Sequence, residues 1–306
     1  MGLSDMTLDL TVAGNLTLDK VFWKGKKTGW VMGGPARYVS LTASLLGLRV
    51  SIISNIGYDM PERNLRILEK AGIDVELVRR VPAPTTRFTL KYRDSTREMR
   101  LLKKCTNIQV NIGDCRPSRV LHLGPVTDEL DPDSSNCLVE RAELTSLDPQ
   151  GFLRRVKKNG VVRLRPWLDG NLLSRVRVLK ASREEIRAMT GLSDLARSLA
   201  WMNRLGPTIA IATLGPAGVL MRCGGRGLFK IPAYKVPESI HPTGMGDTFI
   251  GAFLAQYLKE NDPLWAAAVA NSTVSLALQR RLKPTYKPIL RERANELFER
   301  VLRVAG

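Results

Sequence analysis

The stretch His241-Pro-Thr-Gly-Met-Gly-Asp247-Thr-Phe-Ile-Gly-Ala-Phe-Leu254 joins a glycine-rich turn directly to an apolar helix. Glycines allow the backbone to turn sharply and to bring several N–H groups toward one point. These groups and the positive end of the helix dipole form a site for an anion. A carboxylate at the helix start, Asp247, would lie beside a bound phosphate and can accept a proton from an attacking hydroxyl. The alternative is that Asp247 only caps the helix and the glycines only form a turn.

Strand and helix patterns alternate through the chain before this stretch. Such alternation predicts an α/β fold with a mostly parallel central sheet and helices on both faces. The predicted strands are Leu8–Ala13, Val50–Ser54, Arg119–Leu123, Glu143–Leu147, Arg177–Leu179, Thr208–Thr213 and Val219–Arg222. The predicted helices are Pro35–Leu46, Pro61–Lys70 with a capping box of Asp59 and Glu62, Arg183–Met189, Asp247–Lys259, Pro263–Leu278 and Ile289–Val304.

Two stretches interrupt this pattern, and both are polar at alternate positions. Val21–Met32 predicts two short strands around residues 24–27. Arg87–Leu102 predicts a hairpin, with strands Phe88–Tyr92 and Glu98–Leu102 and a turn at residues 93–96. Each face of such a sheet is at most half buried, so we expect a small β lid over one end of the main sheet.

The chain shows no linker and no internal repeat. We therefore expect a single α/β domain over residues 1–306, with the lid formed by about residues 15–34 and 85–104. A length of 306 residues and a hydrophobic content of 44% are enough to bury a large core.

The net charge of +18 is unusual for a chain of this size. It is typical either of a nucleic-acid partner or of a solvated basic surface around a site for anionic substrates. The basic residues are scattered, and no basic tail or aromatic-interleaved patch is visible, which favours the second interpretation. No apolar run approaches the roughly 18 residues of a membrane span, and the N-terminus lacks a signal-peptide pattern, so we expect a cytoplasmic protein without membrane partners.

The cysteines and histidines do not follow metal-site spacings. No C-x-x-C pair occurs, and the histidines are too far apart for a zinc site. Buried thiols are the favoured interpretation, and one disulfide is the alternative if the source is a hyperthermophile. The residues concerned are Cys105, Cys115, Cys137, Cys223, His122 and His241.

The segment from His241 to Asp247 resembles the signature of the ribokinase (PfkB) family of carbohydrate kinases, whose usual form is Asp-Thr-x-Gly-Ala-Gly-Asp. Further matches follow in family order and span about Ala13 to Leu278. They are Gly33-Gly34-Pro35-Ala36, Gly57-Tyr58-Asp59, Ala71-Gly72-Ile73-Asp74 and Thr213-Leu214-Gly215-Pro216-Ala217-Gly218. The resemblance implies a ribokinase-like three-layer α/β/α fold and a kinase that transfers the γ-phosphate of ATP to a hydroxyl.

The resemblance also implies site residues. Asp247 corresponds to the catalytic base, and the amides of Gly244, Met245 and Gly246 correspond to the anion hole. The resemblance implies a further set of residues that border ATP and order Mg²⁺, with Glu185 acting on Mg²⁺ through water. These residues are Thr213, Gly215, Gly218, Glu185, Ser182 and Asn271. Residues implied to bind the acceptor are Asn15, Asp19, Gly33, Gly34 and Tyr38.

Three departures from the family pattern affect these roles. Ser182 replaces the Asn of the family's Asn-x-x-Glu, which predicts a different water and metal network. His241 and Pro242 replace the first Asp and Thr of the signature, which argues against activation by a monovalent cation. His241 is then either a phosphate contact or a turn residue. Tyr38 replaces an Asn that many sugar kinases use against a substrate hydroxyl.

The variant Gly-Gly-Pro-Ala-x-Tyr at residues 33–38, with the segments 122–126 and 147–154, resembles the branch that contains myo-inositol kinases and archaeal relatives. The first expectation for the acceptor is therefore myo-inositol or a related carbohydrate. Asp148 and Gln150 have either a supporting role at the phosphates or a structural one. For Arg154 and Arg165 a solvated face is favoured over a contact with substrate.

Other functions remain open. A nucleoside kinase or a sugar-phosphate kinase is the alternative within the family, and the cations at 24, 26, 27 and 87 near the lid suit the latter. A catalytically weak relative that binds nucleotide or nucleic acid is the alternative outside it. The half-polar lid also permits a homodimer.

Overall fold

The computed structural model describes residues 7–93, 96–110, 113, 115–236 and 241–304. Its strands are β1 (Leu8–Ala13), β2 (Thr17–Trp23), β3 (Lys26–Lys27), β4 (Val31–Gly33), β5 (Val50–Gly57), β6 (Val78–Val81), β7 (Arg87–Arg93), β8 (Thr96–Lys103), β9 (Ser118–Leu123), β10 (Ala142–Leu147), β11 (Arg154–Val156), β12 (Val162–Leu164), β13 (Val178–Ser182), β14 (Ile209–Thr213), β15 (Val219–Cys223), β16 (Gly227–Ile231) and β17 (Leu302–Val304). Its helices are α1 (Pro35–Leu45), α2 (Glu62–Lys70), α3 (Pro132–Val139), α4 (Gln150–Leu153), α5 (Gly170–Ser174), α6 (Arg183–Thr190), α7 (Leu195–Leu205), α8 (Met245–Glu260), α9 (Pro263–Leu278) and α10 (Lys287–Glu299).

The main sheet is mostly parallel and has the strand order β17-β16-β15-β14-β13-β10-β9-β1-β5-β6. The strands from β14 to β6 in this order run parallel, and β15, β16 and β17 are antiparallel to their neighbours. Strands covered on both faces need nearly continuous apolar sequence. β5 illustrates this, because all of its residues from Val50 to Gly57 are buried.

Helices cover both faces of this sheet, so the fold is a three-layer α/β/α arrangement. On one face Val39 of α1 and Phe253 of α8 belong to the same core as Leu10 and Val12 of β1. On the other face α3, α5, α6 and α7 pack in a second core with the alternate side chains of β9. α8 and α9 are buried on most of their surface, which explains why their sequences are apolar without strong amphipathic periodicity.

The lid is a separate five-stranded sheet of β2, β3, β4, β7 and β8. It has its own small core, in which Val21, Phe88 and Leu90 pack with Val126 and Val162. Val162 belongs to the hairpin β11–β12, whose connection reaches the lid through a 2.9 Å hydrogen bond from the Leu101 N–H to the Gly160 carbonyl. One face of the lid therefore packs on this core, whereas the sequence predicted that each face would be at most half buried.

The structure confirms the predicted fold class, and the predicted strands of the main sheet shift by three residues or fewer at either end. Several elements were not predicted: β6, β11, β12, β16, α3, α4, α5 and α7. They are short or weakly periodic, and their type is decided by packing. Residues 94 and 95 of the predicted lid turn lie outside the described residues.

Two local predictions are wrong. The last helix ends at Glu299, and Leu302–Val304 forms β17 beside β16, where the edge of the sheet supplies backbone partners that a continued helix would not use. The predicted capping box of Asp59 and Glu62 does not form. Asp59 instead accepts a hydrogen bond from the Thr85 N–H at 2.7 Å and pairs with Arg87 of the lid at 2.5 Å.

All four cysteines are free thiols, which agrees with the favoured interpretation and excludes a disulfide between them in this structure. Over the described part of the chain, every helix is too short or too polar to cross a bilayer.

Candidate active site

The predicted anion loop lies where parallel strands end against the N-terminus of a helix. α8 begins directly after Gly244, whose φ of +78° lies in the left-handed region. The end of β13 reaches the same point, because a Cβ atom added to Gly246 would lie 2.9 Å from Nζ of Lys180. Open parallel sheets bind ligands at this edge, and the first N–H groups of a helix have no acceptor within it. The loop therefore has the geometry of an anion site.

Neighbouring side chains leave no room for a side chain at the first glycine of the loop. A Cβ atom on Gly244 would lie 2.6 Å from three ring atoms of Tyr38, so the ring packs directly on the backbone here. The Met245 N–H donates a long bond of 3.3 Å to the Pro242 carbonyl. The three amides that the sequence predicts as an anion hole thus lie on one tight turn beside Tyr38.

Asp247 lies in the first turn of α8. Burial raises the pKa of its carboxyl, the charge of Lys180 opposes the rise, and the charge of Asp148 adds to it, so that the pKa comes to about 7. A general base is most effective when its pKa lies near the operating pH. The environment of Asp247 therefore suits proton transfer better than that of an ordinary helix cap would.

A buried ion pair that the sequence analysis did not identify lies next to Asp247. Nζ of Lys180 is 2.5 Å from Oδ2 of Asp148, and the two side chains are 6% and 2% exposed. Burial is the largest single effect and works against the ammonium form, but the negative charges of Asp148, Asp247 and Glu185 together outweigh it, and the pKa of Lys180 is raised. The signal was present in the sequence, because Lys180 is a single charged residue within an apolar strand.

Arg154 also belongs to the site, which corrects the expectation of a solvated face. Its Nη1 donates to the Val126 carbonyl at 2.8 Å and its Nη2 donates to Oε1 of Gln150. Within the described residues it makes no ion pair. Its positive charge nevertheless lowers the pKa of both Asp19 and Asp247. The guanidinium is therefore held by neutral partners within electrostatic reach of both carboxyl groups.

The predicted acceptor site is built around Asp19 in β2. The Thr17 hydroxyl donates a 2.9 Å hydrogen bond to Oδ1 of Asp19. A Cβ atom on Gly33 would overlap Oδ2, so the carboxylate needs a glycine opposite it. Burial raises the pKa of Asp19 to about 6, although Thr17 and Arg154 oppose the rise. Gly34 has a φ of +89° and begins α1 beside this carboxylate.

Asn15 has a structural task in this site, and its contact with the acceptor remains a prediction. It is fully buried, its Oδ1 accepts a 2.8 Å hydrogen bond from the Asn55 N–H, and its own N–H donates to Glu129 at 3.0 Å. Through these two hydrogen bonds Asn15 holds the backbone segment that leads to Asp19. Asn15 therefore positions the connection between β1 of the main sheet and β2 of the lid.

The residues predicted to border a nucleotide line the connection between β14 and β15. Thr213 ends β14, and Gly215 opens a short 3₁₀ turn with a φ of +58° that favours glycine. At Gly218 a Cβ atom would overlap the Ile231 carbonyl oxygen, so the turn packs closely on the end of β16. Nucleotide contact by these residues remains a prediction.

Asn271 of α9 lies on the other side of the same backbone. Its Nδ2 donates to the Pro232 carbonyl at 3.0 Å and to the Ile231 carbonyl at 3.3 Å. Asn271 therefore fixes the backbone segment that follows β16. We expect it to act on a nucleotide by holding this segment in place.

Glu185 and Ser182 form a capping box at the start of α6. Oε2 of Glu185 accepts a 2.7 Å hydrogen bond from the Ser182 N–H, and the Ser182 hydroxyl accepts one from the Glu185 N–H at 3.2 Å. Across the described residues, no three acidic, histidine or cysteine side chains are grouped as metal ligands. The site fits a Mg²⁺ ion whose ligands come mainly from water and from the phosphates of the phosphoryl donor, because Mg²⁺ usually keeps several waters.

Both histidines have lowered pKa values. His122 is fully buried and shares a 3.1 Å hydrogen bond with Ser146, and burial with the Lys180 charge lowers its pKa to about 3. His241 is partly buried, and burial together with nearby arginine charges lowers its pKa. A neutral imidazole carries no positive charge that would attract phosphate. The lowered pKa therefore favours the interpretation of His241 as a turn residue.

The lid contacts the anion loop directly. The Tyr92 hydroxyl of β7 lies 2.8 Å from the Thr243 hydroxyl, one residue before Gly244. The Trp23 ring packs edge-on against Tyr92 with centroids 5.4 Å apart. The lid and the loop therefore enclose the space beside Asp19 and Asp247 together.

Comparison with known proteins relates this chain to kinases. The sequence model described as pfkB family carbohydrate kinase matches residues 2–283. A cytidine kinase from Thermococcus kodakarensis is 26% identical over 255 residues, which cover 82% of this chain and 88% of the relative. An inositol 3-kinase from Oryza sativa subsp. japonica is 24% identical, over 95% of this chain and 74% of the relative.

A solved structure has the same fold. A pyrophosphate-dependent kinase in the ribokinase family, complexed with a pyrophosphate analog and myo-inositol, superimposes with a TM-score of 0.78. The two chains are 23% identical, and the match covers 88% of this chain and 95% of that one.

Proposed function

Because the chain belongs to the PfkB family of carbohydrate kinases, we propose that it transfers a phosphoryl group from ATP to a hydroxyl of a small polyol, with myo-inositol as the first candidate. The observation that supports this is the placement of Asp247. Its carboxyl, with a pKa of about 7, stands at an anion loop, and Tyr38 lies within electrostatic reach of both Asp247 and Asp19.

In the proposed mechanism Asp19, whose carboxylate fits against Gly33, accepts hydrogen bonds from acceptor hydroxyls. The acceptor oxygen forms a bond to the terminal phosphorus while the bond from that phosphorus to the leaving oxygen of the donor breaks. The hydroxyl proton passes to the carboxylate of Asp247. The loop amides and the Arg154 guanidinium stabilise the negative charge on the transferred group.

One solved structure of similar fold is a complex with ATP and Mg²⁺, which supports the same donor and ion here. Glu185 would hold Mg²⁺ through water, and the ion would supply charge neutralisation at the phosphates. The capping box keeps the Glu185 carboxylate at the end of β13, on the same side as Lys180.

A nucleoside acceptor is the second candidate, and the similarity to a cytidine kinase over most of both chains favours it. In that case the ribose hydroxyls take the place of the polyol beside Asp19, and the proton transfer to Asp247 is unchanged. The choice between the two acceptors depends on the room under the lid and leaves the catalytic groups the same.

The experiment is a turnover panel with wild-type protein and the Asp247→Asn variant in parallel. Acceptors are myo-inositol, ribose, fructose 6-phosphate, cytidine, adenosine and 2-keto-3-deoxygluconate. Each is tested with ATP and with pyrophosphate, because a solved relative of this fold is pyrophosphate-dependent. Turnover of one acceptor that the variant lacks supports the proposal. Turnover that the variant retains refutes the assignment of Asp247.

The alternative of a weak relative that binds nucleic acid is tested with the same preparation. Binding of single-stranded RNA that falls steeply between about 50 and 200 mM salt, together with no turnover on the panel, would favour it. Sedimentation at several concentrations tests the predicted homodimer through the lid.

A further inference from the structure

Lys180, in the middle of β13, and Asp148, directly after the neighbouring parallel strand β10, form a salt bridge in the interior of the protein. The two side chains are 6% and 2% exposed, and the N–O distance is 2.5 Å. Oδ1 of Asp148 also accepts a hydrogen bond from the Gln150 N–H at 3.2 Å. Both charged groups are therefore fixed by contacts within the protein.

A buried salt bridge of this kind contributes little net stability to a folded protein. Removing two charges from water costs several kcal/mol for each ion, and well-packed apolar residues of similar volume often stabilise a protein as well or better. The neighbours of Lys180 in β13 are apolar, and Val178, Leu179 and Ala181 are fully buried. A pair retained at this position calls for a reason in the chemistry of the site.

The location of the ammonium group supplies that reason. Nζ of Lys180 lies 2.9 Å from the position of a Cβ atom on Gly246, so it touches the backbone of the anion loop. A glycine here lets the ammonium approach the point to which the first N–H groups of α8 are directed. A phosphoryl group bound at the loop would lie within reach of both.

We propose that Lys180 is a catalytic residue that contacts the transferred phosphoryl group beside Gly246, and that Asp148 is the positioning residue that holds it there. This inference rests on the proposed function. The bond changes at phosphorus are those of the proposed reaction, and Lys180 neither gains nor loses a proton. A fixed cation at this point stabilises the charge that develops on the transferred group.

The pair also acts on the proton acceptor. The groups that face the Asp247 carboxyl come from five elements: Lys180 of β13, Asp148 after β10, Arg154 of β11, Glu185 of α6 and Tyr38 of α1. Of the two partners, Lys180 lowers the pKa of Asp247 and Asp148 raises it. Neutralising one partner or the other should therefore move the acid limb of the kcat profile in opposite directions.

The test compares Lys180→Met, Lys180→Arg, Asp148→Asn and the double variant Lys180→Met/Asp148→Asn with wild type. Lys180→Met should reduce kcat by about 10²–10³-fold, as removal of one oxyanion donor typically does. Its acid limb should move to higher pH and that of Asp148→Asn to lower pH. Binding of methylene diphosphonate and of a non-hydrolysable ATP analogue, measured by calorimetry, reports the phosphate contact without turnover.

The double variant separates a catalytic role from a structural one. It contains no unpaired buried charge, so it should regain the thermal stability that each single variant loses, while its kcat stays at least about 10²-fold low. Lys104→Met is the matched control, because it removes an exposed lysine–aspartate pair with Asp128 at 2.6 Å and should change neither quantity.

Each outcome has a definite meaning. Recovery of both stability and kcat in the double variant would overturn the inference and make the pair structural. Shifts of the acid limb in the same direction for both single variants would do so too. If the wild-type protein turns over none of the acceptors, the proposed function itself is refuted. If the wild type is active and the Lys180→Met variant has the same kcat, only this inference is refuted.

Discussion

Replacing Asp247 by Asn should abolish most turnover and at the same time stabilise the protein above neutral pH. Asn has the same shape but carries no charge and cannot take the proton of the acceptor. General-base catalysis is typically worth about 10²–10⁴-fold in rate. We therefore expect kcat to fall by that factor, with donor binding nearly unchanged because the loop amides remain.

The gain in stability follows from the pKa of Asp247. Folding raises this pKa from 3.8 to about 7, mainly through burial. A carboxyl with a raised folded-state pKa contributes stability below its unfolded pKa and loses that stability as the pH rises through 7. At about 1.4 kcal/mol per pKa unit, the upper bound of the loss above pH 7 is about 4 kcal/mol.

The neutral amide of the Asp247→Asn variant would not suffer this loss, so the difference between variant and wild type should be largest near pH 8 and small near pH 4. Urea unfolding at pH 4, 6 and 8 measures it, and a wild-type turnover profile that rises with an apparent pKa near 7 is the kinetic counterpart. Asp133→Asn, at an exposed position in α3, is the matched control and should change neither property. Near-full activity of the Asp247→Asn variant, or a variant less stable than wild type at pH 8, would refute the reasoning.

Three further predictions concern the surroundings of this carboxyl. Gly244→Ala should reduce kcat by about 10-fold or more, because the new Cβ would overlap the Tyr38 ring and the left-handed backbone costs about 1–2 kcal/mol; unchanged kinetics would contradict the geometry. Tyr92→Phe removes the hydroxyl contact between lid and loop and should raise the KM for the acceptor several-fold more than it lowers kcat, measured by steady-state kinetics. Asp19→Asn should raise acceptor KM by about 10-fold or more and leave donor affinity, measured by calorimetry, as in wild type.

The high positive charge does not come from the site, where Lys180 and Arg154 are accompanied by the carboxyl groups of Asp148, Asp247 and Glu185. Lys180, Arg154 and the loop amides surround the space where a donor with several phosphate charges would bind. Many other basic residues are on the surface and contribute to the field that steers anions. Their distribution gives no structural reason to prefer nucleic acid over a small phosphorylated substrate.

The features that the sequence determined by itself are local ones. The loop from Gly244 to Gly246, the helix behind it and the alternation of strands and helices depend on backbone preferences and on periodicity within about 10 to 20 neighbouring residues. The ends of β1 and α9 could therefore be predicted without error. For the same reason Asp247 could be identified as the candidate base before any contact was known.

Only the tertiary structure decided which side chains join Asp247. Lys180 and Asp148 are 32 residues apart, so no local spacing detects their pair, and Arg154 is also held by the Val126 carbonyl, which is 28 residues away in the sequence. β17 likewise depends on the open edge of β16, since a strand of three residues has no stability of its own. Burial, which raises the pKa of Asp247 and keeps the ion pair dry, is a property of the packed layers and of no single segment.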